Sequence, residues 1–203
     1  ALNENTFQRI WSPRVLQFFK CLNKSGKWSE GFNEGTIHWG DARQKIHEIQ
    51  DSLVFDLILL DPFSPQKCPE LWSEEFISLL TERLSIEGRL ITYSTAASIR
   101  ASLKRAGLNI YSILPLVAGQ NKWSSGTVAM KKKIEQHLIS EHYQFKDLST
   151  REIEHLATRS SIPYRDPTGK GKSKDIISTR KIEQSKSQLI NTSSWRKRWN
   201  TAQ

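Results

Sequence analysis

The sequence predicts an α/β fold, a sheet of mostly parallel strands with an antiparallel last strand, followed by a basic C-terminal extension. Three observations predict it. Phe55 to Leu60 (FDLILL) is an almost uninterrupted apolar run of strand length that stops abruptly at Asp61-Pro62, as a buried parallel strand does. A second buried run, Gly88 to Ser94 (GRLITYS), lies beyond a stretch with helical spacing. Strands that alternate with helices of about ten residues imply crossover units, and crossover units imply a parallel sheet.

Each element has its own warrant. Trp11 to Leu22 carries Val15, Leu16, Phe18, Phe19 and Leu22 behind Ser12-Pro13, the pattern of an amphipathic helix whose first turn accepts proline. Thr36 to Trp39 is expected as a short strand ending at Gly40-Asp41, with a helical stretch from Ala42 to Ile49. Phe55 to Leu60 is expected as the core strand, covered on both faces. Leu71 to Leu84 places Phe76, Ile77, Leu79, Leu80 and Leu84 at helical spacing behind Ser73, and Glu74 and Glu75 suit a first turn. Ala96 to Ala106 is expected as a helix closed by Gly107 and leading into a strand from Leu108 to Leu114. Thr127 to Met130 is expected to pair with that strand as an edge hairpin, antiparallel because no helix is evident between them. Leu148 to Arg159 reads as one more helix and Asp166 to Gln188 as a mobile linker of low hydrophobicity. Trp195 to Trp199 (WRKRW) is expected to dock back or to bind something.

Composition sets the class. A chain of 203 residues with 37% apolar and 25% charged content builds a core and is neither fibrous nor wholly disordered. No run of about 18 apolar residues is present, and the start ALNENTFQRIW lacks the layout of a signal peptide, so a cytoplasmic protein is expected. Cys21 and Cys68 form neither a disulfide framework nor a CxxC pair. The net charge of +9 is unevenly spread: residues 1–130 hold 14 basic and 13 acidic residues, whereas residues 131–203 hold 16 and 8. That last third either binds a polyanion such as RNA by counterion release or is a solvated tail. The expected division is 1–133 and a basic, partly helical or mobile extension, 134–203.

Ligands of open α/β sheets gather at the carboxyl ends of strands, so the residues that follow each strand are the candidates. Asp41 in Gly40-Asp41-Ala42 either accepts a hydrogen bond from an adenine amino group or only makes a turn. Asp61-Pro62-Phe63-Ser64-Pro65 sets a carboxylate and a proline carbonyl beside an aromatic ring. That grouping orients an amine toward an electrophilic methyl group and accepts its proton, or else it is a strand-terminating turn with a helix cap. Two prolines stiffen the loop. Trp72 walls a pocket or simply packs, and Ser94-Thr95-Ala96-Ala97 caps a helix or faces the same sheet edge. There is no HExxH, GxSxG, Walker A or Cys/His cluster, so no metal is expected, and His38, His47, His137, His142 and His155 read as structural or solvent-exposed.

The segments GDA, FDLILLDPFSPQKCPELW and GRLITYSTAASIRASLKRAGL together resemble the methyltransferase domain of MnmC-like proteins, from about Thr36 to Gly126. In the bifunctional tRNA enzyme that domain converts a 5-aminomethyl group on a wobble 2-thiouridine to methylaminomethyl, and its loop reads approximately Asp-Gly-Phe-Ala-Pro, then Lys, Pro and Trp. Ser161 to Thr168 (SIPYRDPT) is similar to the stand-alone cyanobacterial branch, which lacks the flavin oxidoreductase domain. The resemblance implies a class I, Rossmann-like fold and S-adenosylmethionine as cofactor. It implies Asp61 and Phe63 as catalytic residues and Asp41, Ala42 and Pro62 as cofactor contacts. Pro65, Lys67, Trp72, Arg196, Lys197 and Arg198 would contact the tRNA. Pro62 departs from the family's small residue, which bears on the substrate. The family also begins with a strand, a Gly-rich turn and a second strand ending in an acidic residue. None of the ten glycines forms such a cluster. The expectation is a sheet lacking its first two strands, with exposed edges, little cofactor binding by this chain alone, and a complementing N-terminal segment or second chain. A non-catalytic RNA-binding module and an inert partner subunit are the alternatives.

Overall fold

The structure, a computed structural model, describes residues 11–115, 124–135 and 144–200. It divides into two compact units, residues 1–48 and 49–203, so the segment after residue 133 belongs to the second unit. His137 and His142 lie outside the described residues.

In the first unit, helix α1 (Pro13–Ser25) starts where expected, with the Ser12 hydroxyl accepting from the Val15 amide. Gly26 ends it in the left-handed region, φ 69°, its N–H donating to Leu22 O at 2.8 Å. Phe18 of α1 meets Trp28 edge-on at 4.7 Å. Trp28 lies on an antiparallel hairpin of β1 (Lys27–Glu30) and β2 (Asn33–Thr36). The expected strand at Thr36 to Trp39 is therefore displaced: only Thr36 is in a strand, because Gly31 (φ 61°) turns the chain earlier. Asp41 caps the short helix α2 (Ala42–Lys45), which tightens into a 3-10 turn over Ile46–Glu48.

The second unit holds a five-stranded sheet of β3 (Phe55–Leu59), β4 (Leu84–Thr92), β5 (Asn109–Ile113), β6 (Gly126–Met130) and β7 (Phe145–Asp147), in the order β3-β4-β6-β5-β7. β3 and β4 pair in parallel through Leu57↔Arg89, Ile58↔Leu90 and Leu59↔Ile91. β6 is antiparallel to both β4 and β5, and β7 is antiparallel to β5. Strands β3, β4 and β5 thus share one direction, and the last two oppose it. Helices α3 (Glu74–Glu82) and α4 (Ala97–Arg105) make the crossovers. This is the α/β, Rossmann-like class expected, with two corrections. Thr127 to Met130 is no edge hairpin; β6 inserts between β4 and β5 with all five residues buried. And β3 is not covered on both faces. It is an edge strand among the described residues, with Leu57 and Leu59 exposed by 53% and 68%.

The sheet buries Leu90, Ala129 and Thr127 on one face, where Ile99 and Leu103 of α4 are also fully buried. On the other face Tyr111, Val128, Met130 and Phe145 form a cluster joined by Ile91, Ile113 and Ile134. One charged group enters this core. Arg100 of α4, 1% exposed, donates to Glu152 Oε1 at 2.7 Å, Thr127 Oγ1 at 2.8 Å and Gly126 O at 3.0 Å. Glu152 lies in α5 (Thr150–Leu156) and closes a capping box with Ser149. A buried pair of this kind costs much to break, since either partner alone is an uncompensated charge.

After α5 the chain folds onto the second unit. Tyr164 pairs with Ser73, and its carbonyl accepts the Glu74 amide at 2.9 Å. Arg165 then meets Glu75 at 2.6 Å and Glu74 at 3.5 Å. The segment expected to be a mobile linker is a helix, α6 (Ser173–Lys186). One apolar side chain, Ile176, is 3% exposed, and Arg180 donates to the carbonyls of Ile162 and Ser160 at 2.7 and 2.9 Å. Polar anchoring takes the place of the apolar stripe that sequence periodicity detects. Finally α7 (Thr192–Asn200) docks on α5: Trp195 stacks on His155 at 4.1 Å and donates to Arg151 O, and Trp199 donates to Glu154.

Candidate active site

β3 ends against β4, where the Leu60 amide donates to Ile91 O at 2.9 Å, and the chain leaves the sheet at Asp61. The loop that follows occupies the carboxyl end of a parallel pair, where α/β sheets hold ligands. A turn closes it, with Lys67 and Cys68 amides donating to Ser64 O at 2.8 and 3.0 Å. A 3-10 turn, Pro69–Trp72, then leads to α3.

Two aromatic side chains from different elements hold this loop. The Trp72 indole N–H donates to Phe63 O at 2.7 Å, and the Tyr93 hydroxyl donates to Pro62 O at 2.9 Å. The two rings meet edge-on at 5.9 Å. Consecutive carbonyls of the Pro62-Phe63 pair are thereby fixed, which leaves the Phe63 ring 77% exposed and the Asp61 carboxylate exposed. Among the described residues no hydrogen bond or ion pair engages Asp61. Burial first, then the nearby charges of Asp61 and Cys68, pushes the Tyr93 phenol above its ordinary pKa, so it stays a donor to Pro62.

Asp61, Pro62, Phe63, Ser64, Cys68, Leu71 and Tyr93 line a cavity of about 550 Å³. A carboxylate in an otherwise largely apolar, aromatic-walled cleft suits an amine carried on a flat ring. A larger cavity of about 680 Å³ lies elsewhere, between Lys104, Tyr111, Lys133, Asp147 and Ile153, and contains none of these loop residues.

The remaining sequence-derived candidates are placed as follows. Pro65 is half-buried and Lys67 exposed, and neither lines the cavity. Trp72 is fully buried and stands behind the lining as a support. Asp41 and Ala42 belong to the first unit. There the Asp41 carboxylate accepts from the Arg43 amide, Nε and Nη2, the last at 2.7 Å, and the Arg43 side chain is the main cause of its lowered pKa. A carboxylate offers about four acceptor positions, and Arg43 fills them. A hydrogen bond from an adenine amine to Asp41 therefore requires Arg43 to turn away. Arg196, Lys197 and Arg198 are exposed on α7, with Arg198 paired to Glu154 at 3.0 Å. Trp195 is buried under its stack with His155 and does not offer a face to a base. Ser94 caps no helix as the first residue; Ala96 is the cap, and Ser94 Oγ accepts the Ala96 amide at 3.3 Å. Tyr93 was missed by the sequence reading. Its signal was an aromatic residue at the carboxyl end of the second buried run, directly after Thr92, the last residue of β4.

A family model for S-adenosyl-L-methionine-dependent methyltransferases matches residues 6–129. The tRNA 5-methylaminomethyl-2-thiouridine biosynthesis bifunctional protein MnmC of Azoarcus sp. is 37% identical over 75 residues, 37% of this chain and 12% of that protein. An uncharacterised protein of Methanocaldococcus jannaschii is 27% identical over 163 residues, 78% of this chain and 41% of that one. The crystal structure of MNMC2 from Aquifex aeolicus superposes with a TM-score of 0.72 at 25% identity, covering 86% of this chain and 52% of that chain. The chain thus spans about half or less of the length of each of these relatives.

Proposed function

The chain belongs to the S-adenosyl-L-methionine-dependent methyltransferase family, and on that premise we propose that it N-methylates an aminomethyl group on a tRNA wobble uridine in the cytoplasm. The observation that carries this reading is the Asp61 carboxylate beside the fixed carbonyls of Pro62 and Phe63, at the mouth of an aromatic-walled cavity. The name of the Azoarcus relative supports the substrate.

When bound, S-adenosylmethionine would supply an electrophilic methyl group, its cationic sulfur leaving as a neutral thioether. Asp41 and Ala42 would contact its adenine in this reading, with Arg43 turned away, and Pro62 would be a further contact. Asp61 accepts the amine proton, because only a neutral nitrogen has a lone pair to offer. The second lone pair of the Pro62 carbonyl takes a remaining N–H, and the Phe63 ring packs on the nucleobase. Most of the acceleration then comes from holding nitrogen and methyl in line.

Asp61→Asn tests the reading through transfer of labelled methyl to tRNA. A loss of about 10² to 10⁴ in rate is expected, with RNA affinity unchanged. A variant that keeps the parent rate overturns Asp61 as proton acceptor. RNA binding without methyl transfer by the parent protein selects the non-catalytic module, the reading that the basic last third favours.

A further inference from the structure

We propose that Lys170, Lys172, Lys174 and Lys181 form the surface on which the RNA substrate lays its phosphodiester backbone; this rests on the tRNA reading above and places the contact on α6 and the loop before it, not on α7.

Three arginines in this part of the chain are already committed. Arg165 is paired with Glu74 and Glu75, Arg198 with Glu154, and Arg180 with two backbone carbonyls while its guanidinium covers the Tyr164 ring at 4.4 Å. Lys170, Lys172, Lys174 and Lys181 are exposed, and none has an ion-pair partner among the described residues. Residues 170–186 hold six basic side chains against two acidic ones, Asp175 and Glu183. Lys174 and Lys181 are seven residues apart in the sequence, so they share one side of α6 about 10 Å apart. The face bearing Ile176 and Arg180 is the one turned inward.

The loop that presents the first lysines is folded in place. Asp166, 2% exposed, accepts the Gly171 amide at 2.9 Å, and the Lys170 amide donates to Thr168 Oγ1 at 3.2 Å. Gly169 takes φ 63°, and a Cβ at Gly171 would sit 2.7 Å from Asp166 Oδ1. Both glycines are therefore required by the turn, which also removes side chains that would mask the lysines. The lysine loop is joined to the candidate active site: Ser173 Oγ donates to Glu70 at 2.9 Å, in the 3-10 turn whose Leu71 lines the Asp61 cavity and whose Trp72 holds Phe63. A backbone bound along these lysines passes beside that turn. Flexible ammonium groups on a fixed scaffold suit sequence-independent phosphate contact, which positions a nucleic acid without reading it.

The test is binding of unmodified total tRNA, followed by anisotropy from 50 to 200 mM salt. The quadruple variant K170A/K172A/K174A/K181A is expected to bind about tenfold or more weakly, with a log–log salt slope shallower by about 0.7 to 0.9 per lysine engaged. The corresponding four Lys→Arg changes should restore both. A control pair far from α6 in sequence, K20A/K24A, should change neither. An unchanged slope in the quadruple variant, or an equal loss in the control pair, overturns the surface while leaving the methyltransferase reading intact. Failure of the parent protein to bind tRNA at any of these salts overturns both. Unaltered thermal unfolding of the variant, which touches only exposed side chains, shows that a loss of binding is not a loss of fold.

Discussion

Replacing Glu152 with Gln should cost this protein about 3–5 kcal/mol, although the side chain changes by a single atom's identity. The geometry isolates the charge. Gln is as good as Glu at the third position of a capping box, so the bond to the Ser149 amide at 2.8 Å can be kept. What is lost is the counter-charge 2.7 Å from the Arg100 guanidinium, with both side chains 2% exposed or less. Arg100 then remains charged in the core, since a guanidinium does not release its proton. With a urea m-value of about 2–3 kcal/mol per molar, the midpoint should fall by about 1–2 M. The double variant R100M/E152M should recover most of the loss, because two apolar residues leave no orphaned charge. A midpoint shift below about 0.3 M for Glu152→Gln, or a double variant no better than the single one, would refute the reasoning. Acid gives the same answer in the parent protein. Burial raises the Glu152 pKa, but bonds from Ser149 and Arg100 outweigh it and hold it below 4.5. Its contribution is therefore full above pH 4.5 and lost as pH falls through the lower folded-state value.

Tyr93→Phe removes the donor to Pro62 while keeping the ring against Trp72; methyl transfer should fall by about tenfold with little change in KM, and a matched rise in KM instead would make Tyr93 a substrate contact. Gly126→Ala should destabilise by about 1–3 kcal/mol in urea, because its Cβ would overlap Thr92 O and press on the Tyr93 backbone; parent-like stability would show that β4 and β6 can part there. His155, held to about pKa 4 by burial and by Arg100, Arg196 and Arg151, stays neutral while the unfolded chain protonates below 6.5. Stability should thus decline between pH 6.5 and 4, by about 1–2 kcal/mol after allowance for its partial exposure, and His155→Gln should remove that dependence in thermal melts.

What was legible in the sequence was local. Ser12-Pro13 and Gly26 mark α1, Ser73 with Glu74 and Glu75 opens α3, and Gly107 (φ 87°) closes α4, because caps are satisfied by neighbours in the chain. The order of strands is not local. GTVAM reads as an edge only if its nearest sequence neighbour, β5, is its sole partner; its lack of any charged residue was the signal that it sits between two strands. The Asp61 loop was found because a carboxylate, two prolines and a phenylalanine follow an apolar strand. The groups that hold it, Trp72 behind the lining and Tyr93 across from Pro62, belong to tertiary packing, and no spacing rule connects residues 31 apart.

The backing of that loop comes from far down the chain. Arg165 reaches Glu75 across 90 residues and Ser173 reaches Glu70 across 103. A ribosome adding about 5 to 20 residues per second leaves the strand and its loop exposed for roughly 5 to 20 s before the residues that brace them have been made. The Asp61 loop stays unbraced through that interval, so chaperone demand during synthesis should be set by the distance between the loop and its brace.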